Sequence, residues 1–257
     1  MRFSFVIFLL LCAAQTFARA QPDVFTISII NNTPDQLATT SILSAIYKEA
    51  GLEVQFIPFP GKRALIESSS GRVDGEAQRI FEIGEAYPSL VRISTPFITW
   101  QFTAFSKHPQ KRYDSWQSLK GQRVAVVRGI KYAELGLKSA KIRQIMQVGD
   151  IIEMLKMLDA GFVDVAISSK FNGMLHIRRG NHSDIHVHLP AIGDLQLYHY
   201  LHEKHADVVP LLDAAVSKLK RNGSIRVMQQ EVVATMLEQG SRIGMTRANQ
   251  MASPLHF

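Results

Sequence analysis

Two stretches of the chain repeat one short pattern, Gly71-Arg72-Val73-Asp74 and Gly161-Phe162-Val163-Asp164. Each follows a segment of helical hydrophobic period, and the valine of each begins a predicted strand. Glycine often ends a helix, and a short β-branched, apolar run is typical of a buried strand. The repeated order of helix, Gly-x-Val-Asp and strand therefore predicts two lobes of the same build.

The segments around these stretches alternate between strand and helix patterns, as in mostly parallel sheets with helices on both faces. The first block predicts strands at residues 25–30, at 54–59 and from 73, with helices at 33–50 and 62–70. The second predicts strands at 124–127, 145–148 and 163–167, with helices at 131–137 and from 150. The alternation predicts an α/β fold.

Local signals place several side chains within these elements. Thr33, Pro34 and Gln36 match a capping box with proline in the first helical turn. The helical stripes place Leu37, Ile152 and Leu211 on buried faces. We therefore expect the first helix to begin with Thr33 as its N-cap.

Two polar, proline-containing segments, residues 106–114 and 189–197, are candidate linkers between the lobes. Two passages bring the chain back, so we expect the tail to rejoin the first lobe. The chain then divides into a first lobe at 21–107, a second lobe at 108–192 and a returning part of the first lobe at 193–257.

The first twenty residues have the pattern of a secretory signal peptide. Arg2 precedes a nearly unbroken apolar run, and Ala18 and Ala20 suit a cleavage site before Gln21. A membrane anchor is disfavoured because the run is shorter than the roughly 20 residues that a span needs. Lipid attachment at Cys12 is disfavoured because a large Leu11 precedes it. We expect a cleaved, periplasmic protein.

Composition excludes several classes of protein. The 257 residues are 46% hydrophobic and 20% charged, which is typical of a globular chain. One cysteine permits neither a disulfide framework nor a cysteine-based zinc site. Basic residues are scattered and form no stripe with aromatic residues, so nucleic-acid binding is disfavoured. We expect a monomer with no cofactor and no later membrane span.

Four segments resemble the family 3 extracellular solute-binding proteins, which are the periplasmic receptors of polar-solute ABC importers. They are Gly71-Arg72-Val73-Asp74-Gly75 and residues 115–129, 158–167 and 212–225. The resemblance implies the two-lobed periplasmic-binding-protein fold of type II, with two hinge crossings, which closes over its ligand. It also implies a small polar solute and an inner-membrane ABC permease as partners.

The resemblance also implies roles for two residues. Amino-acid binders of this family hold the ligand's carboxylate with an arginine after the third strand, a position that Arg79 matches. They hold the ammonium group with an aspartate at the end of a second-lobe strand, where this chain has Ser169. Serine carries no charge, so we hypothesise a carboxylate-bearing ligand, amino acid-like or an organic acid, that needs no α-amino group.

Ligands of open α/β sheets bind beyond the carboxyl ends of the strands. Arginines there can hold a carboxylate by two parallel hydrogen bonds, residues before helix N-termini favour anions, and aromatic rings can stack on a ligand. Asn32 and three aromatic residues, Phe97, Trp100 and Phe102, also lie near these ends, and core packing is favoured for the aromatic three. The predicted ligand-binding residues are Asn31, Thr33, Phe59, Glu76, Arg79, Arg128, Gly129 and Ser169.

The sequence also bears on three alternatives: an enzyme, a sensor and a metal site. The fold also hosts periplasmic dehydratases that act on prephenate or arogenate, but Glu76 is the only acid expected near the cleft and no catalytic motif occurs. A sensor without a permease fits the sequence equally well as a variant. His186 and His188 could chelate a metal, but no third ligand is evident, so histidines facing solvent are favoured.

Overall fold

The computed structural model describes residues 24–252 except residues 32, 181 and 183, and of residues 243–252 it describes the backbone alone. The predicted signal peptide at residues 1–20, with Cys12 and the cleavage site before Gln21, lies outside the described residues. The candidate Asn32 lies outside them as well. No helix among the described residues has the length and apolar character needed to cross a membrane.

The first lobe begins with three strand–helix pairs and a short strand. They are β1 (Val24–Ile30), α1 (Asp35–Glu49), β2 (Glu53–Phe59), α2 (Gly61–Ser69), β3 (Gly75–Arg79), α3 (Ile83–Ala86) and β4 (Leu90–Arg92). The long strand β5 (Ile98–Ser106) follows. The elements from β1 to β3 agree with the predicted alternation, since β-branched runs and glycine stops are local signals, whereas α3, β4 and β5 were not predicted.

The second lobe repeats the pattern. It contains β6 (Val124–Val127), α4 (Lys131–Ser139), β7 (Ile145–Val148), α5 (Ile151–Asp159), β8 (Val165–Ser169), α6 (Lys170–Gly180) and β9 (His186–Val187). The chain then forms β10 (Gly193–His202), α7 (Val209–Arg221) and α8 (Ser224–Ala252). Helix α8 packs against α1, α7 and α6, the last of which belongs to the second lobe.

The strands form a sheet in the order β2-β1-β3-β10-β5-β8-β6-β7. Each outer set of three strands is parallel, and the central β10 and β5 run antiparallel to their neighbours. The two halves are therefore equivalent about the β10–β5 pair. This confirms the predicted α/β fold with two lobes of the same build.

The Gly-x-Val-Asp stretches do the same work in both lobes. Gly71 and Gly161 adopt φ angles of +73° and +74°, which glycine tolerates after a helix. The Asp74 carboxylate accepts a 2.8 Å hydrogen bond from the backbone N–H of Thr26, and Asp164 accepts one of 2.8 Å from Arg123. Each aspartate thereby ties its own strand to the lobe's first strand.

The chain passes between the lobes in β5 and β10. Strand β5 pairs with β10 over residues 98–102 and with β8 over residues 102–105. The first passage therefore lies before the predicted linker at 106–114, because an apolar, aromatic stretch continues the strand across the boundary. The second passage begins at Gly193, within the predicted linker at 189–197.

Three predictions about helix surfaces are wrong. Leu37, Ile152 and Leu211 are 53%, 50% and 47% exposed, because each lies one position outside the buried stripe. The capping box does not form, since the Thr33 hydroxyl donates to the carbonyl of Ile30 and α1 has no side-chain cap. The cap predicted at Asp150 is confirmed, because its carboxylate accepts from the N–H of Glu153.

Candidate functional site

A cavity of about 80 Å³ lies between the lobes, at the carboxyl ends of β1, β3, β6 and β8. The first lobe contributes residues of α1 and β3, the second contributes residues of α4, β8 and α6, and the two crossing strands close one side. Its polar and aromatic lining includes Thr33, Asp35, Gln36, Gln78, Arg79, Trp100, Phe102, Lys131, Tyr132, Ser168, Ser169 and Asn172.

Asp35 is a buried acid at the start of α1. Its carboxylate accepts hydrogen bonds from the amide nitrogens of Asn172 (3.1 Å) and Gln78 (3.2 Å). Its backbone N–H donates to Oδ1 of Asn172 at 2.9 Å, so the residue links the two lobes. Burial raises the pKa of Asp35, and these hydrogen bonds oppose that rise.

Aromatic rings form one wall of the cavity. Trp100 stacks on Phe171 with ring centroids 5.4 Å apart and planes 12° apart. Phe102 meets Tyr132 edge-on, with centroids 5.0 Å apart. Because these contacts fix the rings, Trp100 and Phe102 present ordered aromatic surfaces against which an apolar or cationic group can pack.

Two buried polar atoms of the lining have no hydrogen-bond partner among the described residues. They are Oε1 of Gln36 and Nε1 of Trp100. Gln36 is 7% exposed and Trp100 is 5% exposed. Buried polar atoms are almost always paired, so one acceptor and one donor remain available to a molecule in the cavity.

Arg79 lies at the edge of the cavity, but its nitrogens already have partners. Its Nε donates to Glu76 at 2.9 Å, its Nη2 to the carbonyl of Gly61 at 2.8 Å and its Nη1 to the carbonyl of Gly129 at 3.3 Å. Three of its five N–H groups are thus bonded within the protein, and Nη1 and Nη2 keep one N–H group each. The geometry therefore gives Arg79 a structural role that the sequence did not indicate.

Glu76 lies behind Arg79 and does not line the cavity. It is fully buried and also accepts hydrogen bonds from Ser28 at 2.6 Å and Ser68 at 3.3 Å. Burial raises the pKa of Glu76, and the Arg79 guanidinium opposes the rise. The acid that the sequence placed in the cleft is therefore part of an internal ion pair.

The other predicted residues separate into two groups. Thr33 and Ser169 line the cavity, and Ser169 also accepts a hydrogen bond from the N–H of Asn172 as α6 begins. Asn31, Arg128 and Gly129 do not line it; Asn31 and Arg128 border a neighbouring cleft of about 120 Å³. Phe59 lines neither, and the Arg63 guanidinium lies 5.7 Å from its ring centre.

The lobes touch through two glycines, Gly61 and Gly129. A Cβ atom on Gly61 would lie 3.4 Å from the carbonyl oxygen of Gly129. Gly129 has a φ of +86°, and a Cβ atom there would lie 2.9 Å from the backbone nitrogen of Lys62. Together with the Asp35–Asn172 link, this contact defines a closed arrangement of the lobes.

Sequence reasoning missed Asp35, Gln36, Gln78 and Asn172, and it treated Trp100 as core. Asp35 and Gln36 follow a strand end directly, which is the signal that selected Thr33. Gln36 was assigned to helix capping instead, and Asp35 was given no role. Asn172 has no such signal, because its contact with Asp35 spans 137 positions of the chain.

The histidines do not form a metal site in the described part of the chain, where no three His, Cys, Asp or Glu side chains are grouped to hold an ion. His188 is buried, with its Nε2 2.8 Å from the Ser106 hydroxyl. His199 is buried between the Glu76 carbonyl and the Tyr47 hydroxyl, each 2.9 Å away. Burial lowers the pKa of His199 to about 4.

No family model matches the chain. An uncharacterized protein of Shewanella oneidensis is 28% identical over 193 residues, which cover 73% of this chain and 72% of that protein.

Solved structures resemble this fold at low identity. A histidine kinase sensor domain with similarity to periplasmic binding proteins has a TM-score of 0.70 at 17% identity, covering 83% of this chain and 97% of that chain. An amino acid ABC transporter substrate-binding protein of Streptococcus pneumoniae, bound to L-arginine, has a TM-score of 0.67 at 15% identity, covering 83% and 96%. These likenesses show that the chain has the predicted two-lobed fold of the periplasmic-binding-protein type.

Proposed function

We propose that this protein is a periplasmic receptor that captures a small polar solute between its lobes. One observation carries the proposal: the closed interlobe cavity contains a buried donor and a buried acceptor without partners, Trp100 Nε1 and Gln36 Oε1. A solute that pairs both atoms would also contact second-lobe residues of the same cavity, such as Tyr132 and Ser169, and would therefore favour the closed arrangement.

The proposed partner is an inner-membrane ABC permease, to which the closed, monomeric receptor delivers its solute. Support comes from the fold, which this chain shares with a substrate-binding protein of an amino acid ABC transporter. The predicted signal peptide at residues 1–20 supports export. N-terminal sequencing of periplasmic protein should begin at Gln21, and a product that retains Cys12 would contradict export with cleavage.

A sensor is the second candidate function, and the likeness to a histidine kinase sensor domain favours it. Both candidates bind ligand in the same cavity but differ in partner. Cross-linking of the liganded protein in its native membrane should capture a permease if it is a transport receptor. Capture of a kinase would favour the sensor.

We propose that the protein binds its solute without transforming it. Glu76, which was the acid considered for catalysis, is held by Arg79 and lies outside the cavity. The remaining cavity acid, Asp35, is held by two amide donors. Incubation with prephenate should give no product, whereas turnover would establish an enzyme.

The direct test of the receptor is its own ligand. Protein purified under mild conditions should release a small molecule that mass spectrometry detects at a stoichiometry near one. Small-angle scattering should show a smaller radius of gyration after the released molecule is added back. An unchanged radius at saturation would contradict closure.

A further inference from the structure

We propose that the cavity selects a small organic ammonium compound with a hydrogen-bond acceptor and no carboxylate, and that its charged nitrogen lies against Asp35. This inference rests on the proposed receptor function and names the class of its ligand. It differs from the expectation based on Arg79 and Ser169, which favoured a carboxylate.

The charged residues that line the cavity differ in whether they have an ion-pair partner within the protein. Three lining residues are charged: Asp35, Arg79 and Lys131. Arg79 pairs with Glu76 at 2.9 Å, and Lys131 pairs with Glu134 at 2.7 Å. Each cation therefore already has a carboxylate partner within the protein, whereas Asp35 forms no ion pair among the described residues.

Asp35 has no such counter-ion. Its carboxylate oxygens accept hydrogen bonds from the neutral amides of Asn172 and Gln78, and within the described residues no basic side chain forms an ion pair with it. Both amides act as donors, so this set of partners suits the ionised carboxylate. A buried ion is unfavourable unless it is paired, and a ligand cation would supply the missing partner.

Other atoms of the cavity lining also suit an ammonium group. Oε1 of Gln36, the next residue along α1, is a buried acceptor without a partner, and an ammonium group has several N–H donors. The rings of Trp100, Phe102 and Tyr132 line the same cavity, and aromatic faces attract organic cations. Carboxylate, amide oxygen and aromatic rings together form a site for a positive nitrogen.

The second end of the ligand is defined by Trp100. Its Nε1 is a donor without a partner, so it calls for a ligand hydroxyl, ether or carbonyl oxygen. The cavity of about 80 Å³ limits the size. One water-sized sphere needs about 10–15 Å³, so the cavity suits a small molecule and not a peptide or a nucleotide.

Matched probes test the charge preference. Ethanolamine, 3-aminopropanol and 4-aminobutanol each have a diol analogue and a hydroxy acid analogue, in which hydroxyl or carboxylate replaces the ammonium group. Thermal-shift and calorimetric titrations at neutral pH should show saturable binding by at least one amino alcohol. We expect its diol and hydroxy acid analogues to bind at least thirtyfold more weakly, since they leave Asp35 without a counter-ion.

Two variants and a control locate the effect. Asp35→Asn should reduce amino alcohol affinity at least about thirtyfold. Trp100→Phe keeps the charge and removes the donor, so it should reduce affinity about fivefold while keeping the preference for the ammonium series. Glu49→Gln removes a negative charge from the far end of the same helix, where Glu49 pairs with Lys218 at the surface, and should bind like wild type. Circular dichroism checks that each variant is folded.

The outcomes separate the two levels of proposal. Tighter binding of a hydroxy acid than of its amino alcohol, or unchanged binding by folded Asp35→Asn, overturns the ammonium assignment and leaves the receptor standing. Absence of binding by all nine probes also overturns the assignment. The receptor function fails separately, if protein purified under mild conditions releases no small molecule.

Discussion

Two buried carboxyl groups of the first lobe differ in one respect, the presence of a cation. Glu76 lies beside Arg79 and two serine hydroxyls, in the interior of the lobe. Asp35 lies at the cavity with neutral amides as partners. Burial raises the pKa of both acids.

The difference separates structure from recognition. In an internal ion pair the two charges already balance each other, so a charged ligand gains little binding free energy from either one. A buried acid without a counter-ion destabilises the unliganded protein and gains from any cation that reaches it. The charge balance of a cavity therefore indicates what it binds better than the mere presence of an arginine does.

Removing the acid of the internal pair should have the largest effect on stability. Glu76→Gln leaves the Arg79 guanidinium buried without a counter-ion, because that residue is 3% exposed. We expect a loss of about 3–5 kcal/mol in the free energy of unfolding. Urea denaturation followed by circular dichroism measures it. Glu49→Gln, at an exposed ion pair, should lose less than about 1 kcal/mol, and an equal loss in both variants would contradict the contrast.

The buried His199 on β10, whose ring contacts the carbonyl of Glu76, should make stability depend on pH. Burial lowers the pKa of His199 to about 4 from an ordinary 6.5, so the unfolded chain binds this proton more tightly. Stability from this group is complete above pH 6.5 and is lost as pH falls towards 4, by about 3 kcal/mol over that window. His199→Gln should lose less stability than wild type between pH 7 and pH 4.5. Parallel curves would show that His199 is already protonated at neutral pH or does not titrate.

The contact between Gly61 and Gly129 tests whether the lobes are closed when ligand is bound. Gly129→Ala adds a Cβ atom 2.9 Å from the Lys62 nitrogen, and overpacking of this kind costs about 1–3 kcal/mol. Gly121→Ala is the matched control, since Gly121 has a φ of +78° and no atom within 4 Å of an added Cβ. Both should lose stability through the backbone, but only Gly129→Ala should also lose ligand affinity and compaction. Equal affinities in titration calorimetry would show that the two glycines do not meet in the liganded state.

The smallest effect concerns the stability of the unliganded protein around Asp35. The raised pKa of Asp35 means that its favourable contribution is present below the ordinary value of 3.8 and is lost as pH rises through the folded value. Relative to Asp35→Asn, the wild type should therefore become less stable as pH rises above about 4, until ligand is added. Thermal melts of both proteins over pH 4–7 measure this difference. A constant difference across that range would show that Asp35 is not destabilised by burial.

The sequence predicted local features of the fold well. Strands β6 and β7 have the predicted bounds, and Gly71 and Gly161 follow helix ends as expected, because these features depend on neighbouring residues alone. Strand β5 was missed, although its residues 98–106 are rich in aromatic and β-branched types. Its role as a crossing depends on pairing with distant strands, which no local pattern records.

The site was predicted less well because it depends on contacts between lobes. The rule that ligands bind beyond the carboxyl ends of the strands selected Thr33, Arg79 and Ser169, which line the cavity. It could not show that Glu76, three residues from Arg79 on a strand, would pair with it, since alternation places such residues on opposite faces. It also could not show that Asn172 would meet Asp35 from the other lobe.

A crystal structure of the protein with its bound solute would show directly whether Asp35 or Arg79 holds the ligand. We expect a ligand nitrogen at roughly 2.7–3.2 Å from an Asp35 carboxylate oxygen, a second polar atom within the same distance of Trp100 Nε1, and an intact Arg79–Glu76 pair. A ligand carboxylate bound by Arg79, with Glu76 displaced, would contradict the account, as would a ligand bound outside the interlobe cavity.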